Sequence, residues 1–234
     1  MAIGWCLLVG TMAAVYAVYS GALVIPECFN PWAPLRTGDT PNSLTAFKLQ
    51  RATGDDQLCQ AALATSGLRY QPVADRQTGE GCGFDNAVRI TGLVSPAAGT
   101  VAMEPFVLSC RTAVSLVMWE QHVVQPAARL HLGQPVVRLE HLGSYACRNV
   151  YHRDNASRSQ HATADALDVA GMRLAGGQRV SVLRDWPREA PEARFLHEVH
   201  AGACRYFDGA LGPAYNAAHR DHFHLDRGRF RICR

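Results

Sequence analysis

Ser159-Gln160-His161-Ala162-Thr163-Ala164-Asp165-Ala166-Leu167-Asp168 places a histidine and an aspartate seven positions apart. Seven residues of helix climb about 10 Å, and in a straight strand an odd separation sends two side chains to opposite faces. His161 and Asp168 can serve one centre only if the chain bends between them. The bend belongs at residues 163–165, with His161 on a loop and Asp168 on the strand that follows. Ala162, Ala164 and Ala166 are small enough for such a turn to pack tightly. Farther on, His222-Phe223-His224 reads as part of a strand in which His222, His224 and Asp226 share one face. Asp221, Phe223 and Leu225 take the other face. His161, Asp168 and one histidine of the His222/His224 pair together offer two imidazoles and a carboxylate, a donor set for one Zn2+ with an open fourth position, and the other histidine stands beside the bound water. That is the pattern of a catalytic zinc site, whereas a structural site is closed by four protein ligands.

Outward from this core, residues 135–139, 165–170, 179–183 and 221–226 read as strands, and residues 195–207 as a helix with Phe195, Val199 and Ala203 on one side. Upstream, Leu44, Phe47, Leu58 and Leu63 give a helical period broken near Gly54 and ended by Gly67. Residues 79–84 are turn-like and residues 87–93 alternate as a strand. Residues 109–125 read as a helix that Pro126 either kinks or follows with a second one. Helices first and strands later predict an α+β domain, its helices packed on a small antiparallel or mixed sheet.

The chain has 234 residues and a formal charge of +3, and Lys48 is its only lysine. No basic run exists to hold nucleic acid. Residues 2–25 carry no charged side chain, which predicts a transmembrane helix over 1–25, or a cleaved signal segment. Residues 26–42, rich in Pro, Gly and polar side chains, read as a linker, and residues 43–234 as one domain. Besides Cys6, seven cysteines are scattered at 28, 59, 82, 110, 147, 204 and 233, with no Cys-x-x-Cys pair. Behind an export segment these read as disulfides. Six of the seven allow fifteen connectivities; pairing by order gives Cys59–Cys82, Cys110–Cys147 and Cys204–Cys233, with Cys28 left over. The expected location is a single-pass membrane protein with its domain in the periplasm or another extracytoplasmic space.

Ser159 to Asp168 resembles the S-x-H-x-x-G-x-A-x-D motif of zinc peptidases typified by D-alanyl-D-alanine carboxypeptidases, vancomycin-resistance dipeptidases and murein endopeptidases. His222-Phe223-His224 resembles their closing H-x-H. Cys82-Gly83, Gly143-Ser144-Tyr145-Ala146-Cys147-Arg148, Phe195-Leu196 through Cys204-Arg205, and Leu211-Gly212-Pro213-Ala214-Tyr215-Asn216 through Asp226 resemble the bacterial extensin-like C-terminal domain family, over roughly residues 44–234. The resemblance implies His161, Asp168 and His224 as zinc ligands and His222 as base or transition-state stabiliser. It implies Arg148 as a substrate-binding arginine and Ser159 as a local hydrogen-bonding residue. The motif glycine is Ala164 here, a strained choice if that position needs a positive φ. Where the vancomycin-type enzymes carry a glutamate, this chain has Asp221, which the strand period points away from His224.

The implied activity is zinc-dependent hydrolysis of peptide bonds in peptidoglycan stems or cross-links. The alternative is a non-catalytic envelope module that binds wall polymer, with a metal-binding or vestigial site; His222 separates the two, because a structural site has no use for it. A scaffold dimerised through Cys28 is a third reading. Asp226 either orients a ligand histidine or caps the strand end, and Arg148 either binds substrate or pairs with a nearby acid. His197, His200 and His219 read as solvated, and Trp119 and Trp186 as core.

Overall fold

The computed structural model describes residues 2–228 and 230–234. Its helices are α1 (Ala2–Tyr19), α2 (Thr45–Gly54), α3 (Asp56–Ala64), α4 (Cys110–Trp119), α5 (Gln125–Leu132), α6 (Val182–Asp185) and α7 (Pro191–Ala203). Its strands are β1 (Leu68–Val73), β2 (Arg76–Gly79), β3 (Cys82–Phe84), β4 (Ala87–Ser95), β5 (Gly99–Ser109), β6 (Val136–Gly143), β7 (Ala166–Leu174), β8 (Arg179–Ser181), β9 (Gly209–Leu211), β10 (Phe223–Asp226) and β11 (Ile232–Cys233). Among the described residues, nine strands form one sheet in the order β1-β4-β5-β6-β7-β10-β9-β11, with β8 also on β7. β5–β6 and β9–β11 are parallel and the other pairs antiparallel. The class is α+β with a mixed sheet. The sheet is larger than expected and draws on the early part of the chain as well as its end.

β5, the longest strand, is absent from the sequence reading and contains Pro105, a residue that argues against a paired strand. It is tolerated where the β4–β5 register shifts between Ile90 and Gly92, opposite Ala102 to Phe106. The strand expected at 179–183 stops at Ser181, where the Asp185 carboxylate accepts from the Ser181 N–H at 2.8 Å and the chain turns into α6. α7 starts earlier than predicted, at Pro191, whose fixed φ suits the first helical turn.

α4 is buried at every position but Arg111, as befits a helix apolar on all sides. It meets α7 through Trp119, fully buried, whose indole N–H donates to the Val199 carbonyl at 2.9 Å. A π-helical segment, Glu120–Val124, joins α4 to α5. Pro126 follows it inside the first turn of α5. A proline has no N–H and crowds the carbonyl four residues back; the wider π turn precedes it, and Pro126 sits in the first turn of the second helix, one of the two outcomes expected of it.

Two features correct the sequence reading. α1 has 18 residues, a rise of about 27 Å against a hydrocarbon core of about 30 Å. The chain turns at Gly21 (φ +74°), so Leu23, Val24 and Ile25 lie beyond the helix. No helix among the described residues is long and apolar enough to cross a membrane. The transmembrane helix expected over 1–25 is therefore not supported, and neither are the membrane partnership and single-pass location drawn from it; Met1 lies outside the described residues.

The second correction is the disulfide order. The pairs are Cys59–Cys110, Cys82–Cys147 and Cys204–Cys233, with Cys28 free. α3 packs on the start of α4, which brings Cys59 to Cys110. The β2–β3 hairpin lies against the segment after β6, where Thr78 and Tyr145 share a 2.6 Å hydroxyl hydrogen bond and Phe84 meets Tyr145 edge-on. That contact brings Cys82 to Cys147.

Candidate metal centre

β7 and β10 are antiparallel neighbours with His224 opposite Asp168. Directly opposed residues of a sheet point to the same face, so both side chains project from one side. His161 arrives from the loop before β7, in a 3-10 turn over Gln160–Thr163. The Ser159 hydroxyl accepts from the His161 N–H at the start of this turn. Ala164 ends it in the left-handed region, φ +56°, the conformation that lets the chain reverse into β7 within a few residues. Asp165 then fixes the loop. Its buried carboxylate accepts from Ser109 (2.5 Å), Thr163 (2.7 Å) and Arg111 (Nε at 2.7 Å, and Nη2).

The three donor groups form a tight triangle, closed through both oxygens of Asp168. His161 Nε2 lies 3.2 Å from Asp168 Oδ2 and 3.2 Å from His224 Nδ1, and His224 Nδ1 lies 2.9 Å from Asp168 Oδ1. Tetrahedral bonds of about 2.0–2.2 Å put neighbouring donors about 3.3–3.5 Å apart, so the triangle needs only slight widening around one ion. Each outer nitrogen is engaged as well. His161 Nδ1–H donates to the Ser144 carbonyl at 2.5 Å, and His224 Nε2–H to Asp226 Oδ2 at 3.0 Å. With those protons directed outward, His161 Nε2 and His224 Nδ1 turn lone pairs toward a carboxylate and toward each other. Such an arrangement calls for positive charge between them, and two imidazoles with one carboxylate are a donor set that suits zinc.

The electrostatics agree. Burial pushes the Asp168 carboxyl up, but the adjoining imidazoles of His161 and His224, when protonated, hold it far below the usual carboxylate range. Burial pushes His224 down, yet Asp168 and Asp226 outweigh it and raise the imidazole to about 9. A cation bound here would compete with that proton for one place.

His222 lies just before β10 rather than on it. Its Nδ1–H donates to Asp221 Oδ1 at 2.8 Å, and its Nε2 stands 3.6 Å from Asp168 Oδ1. Asp221 thus supports His222 directly; both residues precede β10, so the strand period that put them on opposite faces does not apply to them. Arg148 is half-buried beside the ligand loop: its carbonyl accepts from the Ser159 N–H at 3.1 Å. Among the described residues no ion pair or hydrogen bond engages its guanidinium, so it neither touches the ligand cluster nor pairs with an acid.

His219 was expected to be solvated and is buried at the site. Its ring centroid lies 5.4 Å from that of His222 and 5.9 Å from that of His224. Its Nδ1–H donates to Asn216 Oδ1 at 2.8 Å, and the Asn216 amide in turn donates to the Tyr151 hydroxyl at 2.8 Å. Burial, then the nearby His224 and His222, lower its pKa to about 4. His219 is therefore a neutral imidazole whose Nε2 carries a lone pair. The spacing His219-x-x-His222-x-His224 was visible in the sequence; the short 3-10 turn Ala217–His219 that turns the ring inward has no periodic signature. His200 is also buried, against Trp186 and Phe223, while His197 is exposed. A separate cleft of about 420 Å3, lined in part by Asp56, Asn86, Arg111, Thr163 and Asp165, contains none of the cluster residues.

A family model described as Extensin-like protein C-terminus matches residues 57–234. No curated protein matches the chain, and no solved structure does.

Proposed function

We propose that this chain, which belongs to the extensin-like protein C-terminus family, is a zinc-dependent peptidase acting on peptide bonds in peptidoglycan stems or cross-links. The relation to zinc peptidases is part of the proposal. One observation carries it: His161, Asp168 and His224 converge within 4.8 Å with their outer protons already engaged. Three protein donors leave a fourth position for substrate or solvent.

Zinc held there would supply Lewis acidity, making hydroxide available near neutral pH and polarising the scissile carbonyl. The chain's own residues would do the rest. His222, with Nδ1–H fixed by Asp221, presents Nε2 to take a proton from the attacking water and hand it to the departing amine. Once protonated, the same imidazolium would stabilise negative charge on the carbonyl oxygen. Arg148, whose guanidinium has no hydrogen-bond or ion-pair partner among the described residues, offers a planar fork to a substrate carboxylate.

The test is zinc content of the purified protein together with turnover of purified muropeptides. Stoichiometric zinc in the wild type, lost in His161→Ala and in Asp168→Ala, is expected, and a metal-free wild type from zinc-replete medium would end the reading. His222→Ala should keep zinc while losing turnover at least a hundredfold, on the order expected for a general base. Zinc bound without any turnover of muropeptides would leave a wall-binding module.

A further inference from the structure

Asp226, which engages the outer proton of His224, takes no part in the proton transfers above, yet it is placed with unusual constraint. The residue is only 9% exposed. Oδ2 accepts His224 Nε2–H at 3.0 Å, and Oδ1 accepts the Gly228 N–H at 2.7 Å. Among the described residues His224 is its only ion-pair partner; the adjacent Arg227 turns instead to Asp208, the Thr53 hydroxyl and the Tyr206 carbonyl. The space it occupies is cut by two glycines. A Cβ at Gly209, its partner across the β9–β10 ladder, would fall 2.1 Å from Oδ2, and a Cβ at Gly228 would fall 2.7 Å from Oδ1.

Burying a carboxylate is costly unless a partner offsets its desolvation, and a strand end needs no such group. The residue it faces does. The two nitrogens of a neutral imidazole are not equivalent, and the hydrogen bond at one decides which is free to bind a metal. We infer that Asp226 is a positioning residue: by accepting a hydrogen bond from His224 Nε2–H in a slot between Gly209 and Gly228, it makes Nδ1 the nitrogen that binds the ion. This deepens the proposed function and rests on its reading of the cluster as a metal site. An amide cannot replace the carboxylate. Facing two N–H donors, from His224 and Gly228, an asparagine can accept from one and must set its own NH2 against the other.

Two measurements on the full chain test this. In protein labelled with 15N-histidine and loaded with cadmium-113, scalar coupling identifies the ligating nitrogen, and His224 should couple through Nδ1. Coupling through Nε2 in the wild type overturns the inference without needing any variant. In a zinc titration against a chelating dye, Asp226→Asn should bind 10- to 100-fold more weakly, the range typical for the loss of such a partner. Wild-type affinity in a folded Asp226→Asn protein would also overturn it, since a residue that merely caps the strand at Gly228 would leave zinc binding untouched. A wild type that binds neither zinc nor cadmium removes the metal site itself, an outcome distinct from the other two.

Discussion

Ala164 occupies the left-handed region at φ +56° and is fully buried against Phe84 and Ala87. An L-residue there costs about 1–2 kcal/mol, offset in part by about 0.8 kcal/mol for a buried methyl and by a stiffer unfolded chain than glycine gives. Ala164→Gly should therefore change stability by no more than about 1 kcal/mol in urea unfolding. A branched side chain has neither the space nor the backbone freedom. Ala164→Val should destabilise by more than about 2 kcal/mol and weaken zinc binding, because the same residue sets where His161 arrives. Equal urea midpoints for Ala164→Val and wild type would contradict this account. The sequence already pointed to this position, since the resemblance puts glycine there; the φ angle that makes the substitution consequential required the fold.

The π-helical segment between α4 and α5 carries Glu120, fully buried, with its Oε1 accepting from Gln125 at 2.6 Å and its Oε2 unpartnered. Burial pushes its pKa up to about 7 against the hydrogen bond from Gln125. The folded protein thus holds a proton that the unfolded chain releases from about pH 4.5. More protons are bound in the native state across that window, so stability should fall as pH rises from about 4.5 to about 7 and stay lower above it. Glu120→Gln should remove this component: relative to the variant, the wild type should lose about 3 kcal/mol across the window. Parallel stability curves for the two proteins would exclude it. At this scale the sequence was readable where one period dominates, as in α2, α3, β4 and β7. It was not readable where tertiary partners decide: β5 contains a proline excused by a register shift, and β1 and β9 are strands only because neighbours pair with them.

Across the whole molecule, two disulfides tie distant segments to the site's surroundings. Cys59–Cys110 closes a loop with a sequence separation of 51, which on loop-closure grounds contributes about 4 kcal/mol. Cys59→Ser/Cys110→Ser should lower unfolding stability by about that amount; a change below about 1 kcal/mol would mean that the unfolded chain is already compact there. Cys82–Cys147 acts nearer the chemistry, because Cys147 precedes Arg148 and the β2–β3 hairpin holds that segment in place. Cys82→Ser/Cys147→Ser should keep stoichiometric zinc while raising the KM for muropeptides. An unchanged KM would detach Arg148 from substrate binding. The chain order of the cysteines could not disclose these pairs, because only the packing of α3 on α4 and of the hairpin on the segment after β6 sets them. The donor triad is different: local spacing demanded a bend after His161, and that bend is where the structure has one. The β7–β10 seam gives this arrangement a further property. Phe223 and Leu225 face the interior while His224 and Asp226 face the cluster, so sliding β10 by a single step would drive an imidazole and an acid into the greasy side and expose a phenyl ring to water. Under the proposed zinc reading, ion uptake would then act as a proofreader of strand alignment, separating correctly assembled molecules from ones that carry the same amount of sheet in the wrong place.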